Sequence, residues 1–214
     1  MAAALSTKEI ASELAACEVT LSPSALEQLS TYLELLVRWN RRINLSGLRE
    51  PRLIVRRLFG ESLYLAQVLE LKGWLVDVGS GAGFPGLALK LAAPELRVTL
   101  VEPRQRKAAF LKEVIRGCGF TSTDVVIERF TPWAERQASN GADIITTRAV
   151  SLSDELLSSM ARLLAPSGTA AFFTTVQIVH SLERKQGPLA WKGLTKISGA
   201  EDSVIALAAP PQDC

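Results

Sequence analysis

A chain of 214 residues, 48% of them hydrophobic and 21% charged, can bury a substantial core and is too apolar to be disordered. Its net charge of +2 gives no strong average field, so nucleic-acid binding would require a local basic patch. Three scattered cysteines and one histidine indicate neither a disulfide framework nor a metal site, and they disfavour histidine-based nucleophilic catalysis.

No signal for a membrane is present in the sequence. No apolar run approaches the roughly 20 residues that span a bilayer. The first residues lack the basic region, apolar core and cleavage site of a signal peptide. We therefore expect a cytoplasmic protein without membrane association, and a monomer.

The first part of the chain has a helical pattern. Apolar spacing predicts helices over 7–17, from Ser22 or Ser24 to about Val37, and again after Pro51. Gly73 interrupts this pattern. The chain is therefore predicted to consist of a helical extension, residues 1–72, and a second domain, residues 73–214.

Arginines are concentrated at the end of the second predicted helix and beyond it. Residues 38–57 include seven arginines, no lysine and one acid, Glu50. Guanidinium groups pair with phosphate and stack on bases, and Trp39 and Asn40 add an aromatic face and an amide. The segment is therefore predicted to bind RNA, unless it is a solvated helix face on which Glu34 pairs with an arginine four residues later. The cations predicted to contact RNA are Arg38, Arg41, Arg42, Arg56 and Arg57.

A strand, a glycine turn and a helix are predicted over residues 74–92. The apolar run Trp74-Leu75-Val76 precedes a glycine-rich turn over 79–83, and a helix-compatible run follows at 85–92. Glycines let the backbone approach a ligand closely, and the start of a helix offers unpaired N–H groups. Such a turn predicts a site for a cofactor that carries adenosine, the alternative being an ordinary tight turn without a ligand.

Two cofactors fit this turn. Residues 81–86 satisfy the dinucleotide pattern G-x-G-x-x-G, whereas residues 79–83 fit G-x-G-x-G with an acid, Asp77, two positions earlier. A carboxylate at the mouth of the turn would repel a pyrophosphate, but it suits the ammonium and sulfonium groups of S-adenosylmethionine. The sequence therefore favours S-adenosylmethionine over NAD.

Strands and helices alternate after this turn. The predicted strands are 74–78, 97–102, 123–128, 142–146 and 169–174, with helices over 85–92, 104–117, 132–139 and 153–164 between them. A helix near 177–186 and two antiparallel strands, 190–197 and 203–209, complete the pattern. Repeated strand–helix units require a parallel sheet with helices on both faces, so we predict an α/β fold with a seven-stranded sheet.

An acid ends the second predicted strand. Glu102 lies 25 positions after Asp77 (102 − 77). A carboxylate at this place accepts hydrogen bonds from ribose hydroxyls. Glu102 therefore supports an adenosine-bearing cofactor without choosing between the two candidates.

Three motifs, in this order along the chain, resemble the glucose-inhibited division protein B family. They are Trp39-Asn40-Arg41-Arg42-Ile43-Asn44-Leu45, Asp77-Val78-Gly79-Ser80-Gly81-Ala82-Gly83-Phe84-Pro85-Gly86 and Thr147-Arg148-Ala149-Val150. Members of that family are guanine-N7 methyltransferases of bacterial small-subunit ribosomal RNA. The resemblance implies a class I S-adenosylmethionine-dependent methyltransferase, with a Rossmann-like sheet and an N-terminal helical extension. It also implies a guanosine in 16S rRNA, free or in the small ribosomal subunit, as acceptor.

The resemblance also implies roles for individual residues. Gly79 and Phe84 would lie against the cofactor, the segment at Phe130 and Thr131 beside its adenine, and Arg148 near both donor and acceptor as the catalytic residue. The full set of predicted cofactor-binding residues is Asp77, Gly79, Ser80, Gly81, Gly83, Phe84, Glu102, Phe130, Thr131 and Arg148.

Four positions depart from the family pattern. Leu58 replaces a histidine, Glu61 an aspartate, Thr131 a glutamate and Thr174 a lysine. These changes leave the donor site largely intact and are expected nearer the acceptor. Two alternatives therefore stay open: a methyltransferase-like RNA-binding protein with altered or lost activity, and a methyltransferase with another acceptor.

Overall fold

Helices form the first part of the chain in the computed structural model, which describes residues 5–137, 141–184, 187–198, 200 and 202–211. Ser6 caps α1 (Thr7–Ala15) in a capping box with Glu9. Ser22 caps α2 (Pro23–Asn40), which has proline at its first position. The third predicted stretch is a chain of short pieces, namely α3 (Pro51–Ile54), a π-helical segment (Val55–Gly60), α4 (Glu61–Leu63) and α5 (Leu65–Val68). None of the described helices combines the length and apolarity needed to cross a bilayer.

The sheet has seven strands within the described residues, in the order β3-β2-β1-β4-β5-β7-β6. The first five are mutually parallel, and β7 runs antiparallel between β5 and β6. The predicted α/β class and seven-stranded sheet are therefore confirmed. The strands are β1 (Trp74–Val78), β2 (Arg97–Val101), β3 (Thr123–Val126), β4 (Ala142–Arg148), β5 (Leu164–Thr175), β6 (Ala190–Lys196) and β7 (Ser203–Ala209). The helices between them are α6 (Gly86–Ala92), α7 (Gln105–Cys118), α8 (Phe130–Glu135), α9 (Asp154–Leu163) and α10 (Val176–Glu183).

Some element boundaries differ from the predicted ones. β5 begins at Leu164 rather than at 169, and a register shift in its pairing with β4, between Ala142 and Ile144, accommodates the extra residues. β4 extends to Arg148, which places this arginine at the carboxyl end of the sheet. α8 begins at Phe130 rather than at 132. Residues 138–139 and 185–186 of two predicted helices lie outside the described residues.

Both faces of the sheet are covered by apolar side chains. Leu75 of β1 packs with the N-terminal helices, through residues such as Leu14 and Leu29. Val76 of the same strand packs in a second cluster on the opposite face, which includes Met160 of α9. The helical extension thus shares one core with the sheet, and a domain boundary between residues 72 and 73 stays a prediction.

Tyr32 of α2 connects the extension to the glycine turn. Its side chain is fully buried, and its hydroxyl donates a hydrogen bond to the backbone carbonyl of Ala82. Its ring stacks on Phe84 at 5.5 Å between centroids and meets Phe59 edge-on at 4.9 Å. A Cβ at Gly83 would lie 2.2 Å from the tyrosine oxygen, so glycine is required there. The N-terminal helices therefore support the glycine turn through buried contacts of Tyr32.

Replacing Tyr32 with phenylalanine is expected to destabilise the fold by about 1–3 kcal/mol, because the buried carbonyl of Ala82 loses its donor. For a chain of this size, the melting temperature should fall by roughly 2–4 °C per kcal/mol. Thermal denaturation followed by circular dichroism measures this. The matched control is Tyr64→Phe, since the half-buried Tyr64 has no hydrogen-bond partner for its hydroxyl among the described residues. Equal melting temperatures for the two variants would contradict a stabilising role of the hydrogen bond from Tyr32 to Ala82.

Candidate active site

A cavity of about 760 Å³ opens where the glycine turn meets the carboxyl ends of β2 and β4. Ligands bind at this edge in open α/β sheets. The walls come from the turn, from the ends of the two strands and from the loop after α2. The lining residues are 44–47, Leu58, 79–82, Phe84, 102–104, Lys107 and 148–150. We call this space the large cavity.

The glycine turn follows β1 directly and forms one wall of the large cavity. The N–H groups of Gly79 and Ser80 donate to the carbonyl of Val101 at 2.8 and 3.3 Å, which ties the turn to the end of β2. Gly79 has a φ of +69°, and a Cβ there would lie 2.7 Å from Cγ2 of Val150. Gly79, Ser80, Gly81 and Phe84 all line the cavity, as expected from the sequence, whereas Gly83 lies behind the turn against Tyr32.

Glu102 borders the large cavity just beyond the end of β2. Its carboxylate is buried and accepts hydrogen bonds from the backbone N–H groups of Gly81 and Arg104, each at 2.9 Å. A carboxylate has about four lone-pair positions, so further acceptor capacity remains for hydroxyl groups in the cavity. The two backbone bonds fix the orientation of the side chain, and its predicted contact with a ribose stays a prediction.

Asp77 does not lie at the mouth of the turn, and this corrects its predicted position. The side chain is fully buried, and its Oδ1 accepts a hydrogen bond of 2.8 Å from the hydroxyl of Thr146 in β4. Its Oδ2 faces Gly86, where a Cβ would approach to 2.9 Å. The carboxyl group therefore lies under the turn, between β1 and the start of α6, and is absent from the cavity lining. The contact of Asp77 with a cofactor stays a prediction.

Burial raises the pKa of Asp77 to about 6, although the hydrogen bond from Thr146 opposes the shift. The unfolded chain ionises this residue near pH 3.9. The native state therefore retains the proton on Asp77 up to about pH 6. Because the unfolded chain releases that proton at lower pH, the free energy of unfolding decreases as pH rises from about 4 to 6. The unfolding free energy of an Asp77→Asn variant minus that of wild type should therefore increase by about 2–3 kcal/mol from pH 4 to pH 7. Urea denaturation of both proteins across this pH range measures the two unfolding free energies. A difference between them that does not change with pH would contradict the raised pKa of Asp77.

A smaller cavity of about 270 Å³ adjoins the large one. Its lining includes Phe172, Phe173 and Thr174 of β5, together with Glu61 of α4. Residues 148–150 line both cavities, so Arg148 lies where the two spaces meet. The next residue, Ala149, has a φ of +55°, a conformation that is strained for a residue with a Cβ. Such strain is concentrated at functional sites.

Arg148 forms a buried ion pair with Glu61. Its Nη2 donates to Glu61 Oε2 at 2.6 Å and to the carbonyl of Arg57 at 2.8 Å, while Nε of Arg57 lies 3.0 Å from Oε1 of the same glutamate. Burial lowers the pKa of Arg148, and Glu61 opposes that shift. The buried Nη1 of Arg148 has no hydrogen-bond partner among the described residues. A buried donor of this kind is costly, so Nη1 is suited to an acceptor atom supplied by a ligand.

The positions that depart from the family pattern are distributed over both cavities. Leu58 lines the large cavity, and Glu61 and Thr174 line the small one. Thr131 and its neighbour Phe130 line neither, because they begin α8 and Phe130 is buried against Trp133 at 6.1 Å between ring centroids. Their role beside an adenine stays a prediction.

Three of the five arginines predicted to bind RNA have acidic partners, and two of those partners are distant in sequence. Arg38 pairs with Glu113 of α7 rather than with Glu34, and Arg56 pairs with Glu13 of α1. Arg57 pairs with Glu61. Arg41 and Arg42 are exposed, and neither side chain has an ion-pair or hydrogen-bond partner among the described residues. Acids of three other helices thus neutralise three of the five arginines, and the contact of the five with RNA stays a prediction.

Trp39 and Asn40 both make hydrogen bonds within the protein. The indole N–H of Trp39 donates to Glu113 at 2.7 Å, and its ring packs on Phe110 at 5.7 Å. Oδ1 of Asn40 accepts from the N–H groups of Leu45 and Ser46, at 2.9 and 3.3 Å. The bonds of Asn40 tie the loop 44–47, which lines the large cavity, to the end of α2. The sequence motif marked this segment, but its spacing gave no sign that the asparagine faces its own loop.

Other reactive groups are not gathered at the cavities. Among the described residues, no group of three or more His, Cys, Asp or Glu side chains could hold a metal ion. Cys17 and Cys118 are buried free thiols, and Cys214 lies outside the described residues.

Comparison with known proteins gives consistent results. A protein-family model described as rRNA small subunit methyltransferase G matches residues 25–196. The ribosomal RNA small subunit methyltransferase G of Chloroflexus aggregans is 39% identical over 159 residues, covering 70% of this chain and 67% of that protein. The protein of the same name from Xylella fastidiosa is 38% identical over 189 residues, covering 83% and 84%.

Solved structures share the fold at low sequence identity. A SAM-dependent methyltransferase from Aquifex aeolicus has a TM-score of 0.59 at 15% identity and covers 74% of this chain and 93% of its own. A mutant of MtNAS in complex with S-adenosylmethionine has a TM-score of 0.60 at 16% identity and covers 86% and 71%. The fold is thus the Rossmann-like one of class I methyltransferases.

Proposed function

This chain belongs to the rRNA small subunit methyltransferase G family, and we propose that it transfers the methyl group of S-adenosyl-L-methionine to N7 of a guanosine in 16S rRNA. One observation within the molecule carries the proposal: the large and small cavities meet at Arg148, so that a donor and a flat acceptor can be held side by side.

The large cavity fits S-adenosylmethionine. Gly79 leaves the backbone open where a Cβ would collide with Val150, and Glu102 offers oriented carboxylate oxygens to a ribose. The lining combines the Phe84 ring with polar backbone groups of the turn. When bound, the cofactor supplies an electrophilic methyl group on a sulfonium.

The acceptor chemistry requires little from the protein beyond positioning. Guanine N7 is a hydrogen-bond acceptor without a proton, so its attack on a methyl group needs no general base. Alignment of the reacting atoms can supply about 7–11 kcal/mol of the barrier reduction. The small cavity is consistent with this requirement, because its carboxylate, Glu61, is already engaged with Arg148 and Arg57.

Arg148 is proposed to orient the guanine. O6 lies next to N7 on the same edge of the base and accepts hydrogen bonds, as the free Nη1 of Arg148 requires. The guanine acquires positive charge as N7 is methylated, so a cation above the ring would oppose the reaction. We therefore place Nη1 in the plane of the base, at O6.

The remaining features of the proposal concern the setting of the reaction. The enzyme acts in the cytoplasm as a monomer, on 16S rRNA or on the small ribosomal subunit. Residues 1–72 serve as the helical extension and residues 73–214 as the methyltransferase domain. A second candidate, an RNA-binding protein that does not transfer methyl groups, is favoured by Glu61 and Thr174, both at the small cavity.

Nucleoside analysis tests the function. The protein is incubated with methyl-labelled S-adenosylmethionine and either 16S rRNA or small subunits, and the RNA is digested to nucleosides. We expect the label in 7-methylguanosine alone. Label in another nucleoside or in protein contradicts the acceptor, and RNA binding without any label selects the second candidate.

A further inference from the structure

A basic surface that combines one arginine of the arginine-rich segment with three cations from the start of α7 and the residue before it lies beside the large cavity. Arg42, Arg104, Arg106 and Lys107 line a groove of about 420 Å³ together with Ile43, Asn44 and Gln105. We call it the basic groove. The loop after α2 contributes Arg42, and the junction of β2 with α7 contributes the other three cations.

The described part of the chain places no counterion against the cations of the basic groove. None of the four side chains has an ion-pair or hydrogen-bond partner among the described residues, and none of the groove's lining residues is acidic. Arg42, Arg104 and Arg106 are exposed. In contrast, Arg38, Arg56 and Arg57 each face a glutamate. Like charges held this close without counterions form a site for a polyanion.

The basic groove is continuous with the large cavity. Asn44, Arg104 and Lys107 line both spaces. Nζ of Lys107 lies 3.7 Å from the position that a Cβ on Gly81 would take, so the cations begin at the glycine turn itself. A ligand that extends out of the active site along this side therefore passes over four positive charges.

The chemistry of the two substrates decides what occupies the basic groove. S-adenosylmethionine contains no phosphate, whereas an RNA strand contains one phosphate at every nucleotide. We propose that the basic groove binds backbone phosphates of the RNA strand that carries the target guanosine, with Arg42 and Arg106 as contacts beyond the cofactor cavity. The inference rests on the proposed function and names a surface through which the RNA is held.

The test compares variants that remove the same charge. Arg42→Ala/Arg106→Ala changes residues of the groove that do not line the large cavity, and Lys192→Ala/Lys196→Ala removes two exposed charges on β6, at the far edge of the sheet. The Kd for unmodified 16S rRNA is measured by filter binding at several salt concentrations. The Kd for S-adenosylmethionine and the melting temperature are measured for each variant.

We expect the groove variant to bind RNA roughly tenfold more weakly, and the slope of log affinity against log salt to decrease by about 1.4. Its Kd for S-adenosylmethionine should equal that of wild type, and the β6 variant should retain the wild-type RNA slope. Equal RNA affinity and slope in the groove variant and wild type overturn the proposal, even if 7-methylguanosine is formed. Absence of 7-methylguanosine with wild-type protein contradicts the proposed function instead.

Discussion

Replacing Arg148 with alanine is expected to lower kcat/KM for methyl transfer to 16S rRNA about 100-fold or more, while the protein still binds RNA. The reason is its place between the two cavities, with a free buried Nη1. Loss of this contact releases the guanine from its position relative to the methyl group, and a displacement of about 1 Å can cost 10²-fold in rate. Single-turnover transfer with saturating S-adenosylmethionine measures the effect.

In this experiment, a loss of rate caused by a destabilised fold must be distinguished from a loss caused by misplacement of the guanine. Arg148→Ala leaves Glu61 buried with Arg57 as its remaining partner, and breaking a buried pair destabilises a protein by about 3–5 kcal/mol. The double variant Arg148→Ala/Glu61→Gln removes that charge and should recover stability without recovering the rate. Arg148→Lys should also stay slow, because an ammonium cannot reproduce the guanidinium fork. A double variant that methylates RNA at the wild-type rate would remove Arg148 from the mechanism.

Replacing Glu102 with alanine is expected to raise the Kd for S-adenosylmethionine about 10- to 100-fold. The carboxylate is expected to accept ribose hydroxyls, and hydrogen bonds to a charged group contribute about 1.5–3 kcal/mol each. The variant also releases the N–H groups of Gly81 and Arg104, which loosens the turn. Isothermal titration with S-adenosylmethionine measures the change.

Two further variants test whether a change in the Kd for S-adenosylmethionine is specific to the carboxylate of Glu102. Glu102→Gln retains the size of the side chain but places an amide N–H₂ near a backbone donor, so it should weaken binding nearly as much. Glu95→Ala removes an exposed acid before β2 and should bind like wild type. If all three variants bind S-adenosylmethionine equally well, the ribose role of Glu102 is wrong.

The sequence predicted the sheet and the glycine turn because both depend on local patterns. Alternating apolar strands and helices require a parallel sheet, and a turn such as that of Gly79, with its φ of +69°, favours glycine irrespective of the rest of the fold. The position of Glu102 followed from the same reasoning, since parallel strands all end at one edge of the sheet.

The partners of the arginines could not be predicted in this way. Glu113 is 75 positions from Arg38, and Glu13 is 43 positions from Arg56. Nothing in the spacing of the arginine segment indicates which distant acids pack against it. The grouping of Arg42 with Arg104, Arg106 and Lys107 was not predicted for the same reason, because these residues are separated in sequence and only the fold places them together.

Asp77 was misplaced for a different reason. All five residues of β1 are buried, so the strand shows no polar–apolar alternation from which the side-chain direction can be deduced. An acid at the end of such a strand can face the ligand or the interior. The structure turns it inward, toward Thr146 and Gly86, where burial raises its pKa to about 6.

Methyl transfer to RNA that lacks the acceptor atom tests the central claim most directly. 16S rRNA is transcribed with 7-deazaguanosine in place of guanosine, which replaces N7 by a carbon and leaves the pairing edge intact. The wild-type protein should bind this RNA and transfer no methyl group to it, while it labels the unmodified transcript. Label on the 7-deazaguanosine RNA would contradict the assignment of guanine N7 as the acceptor.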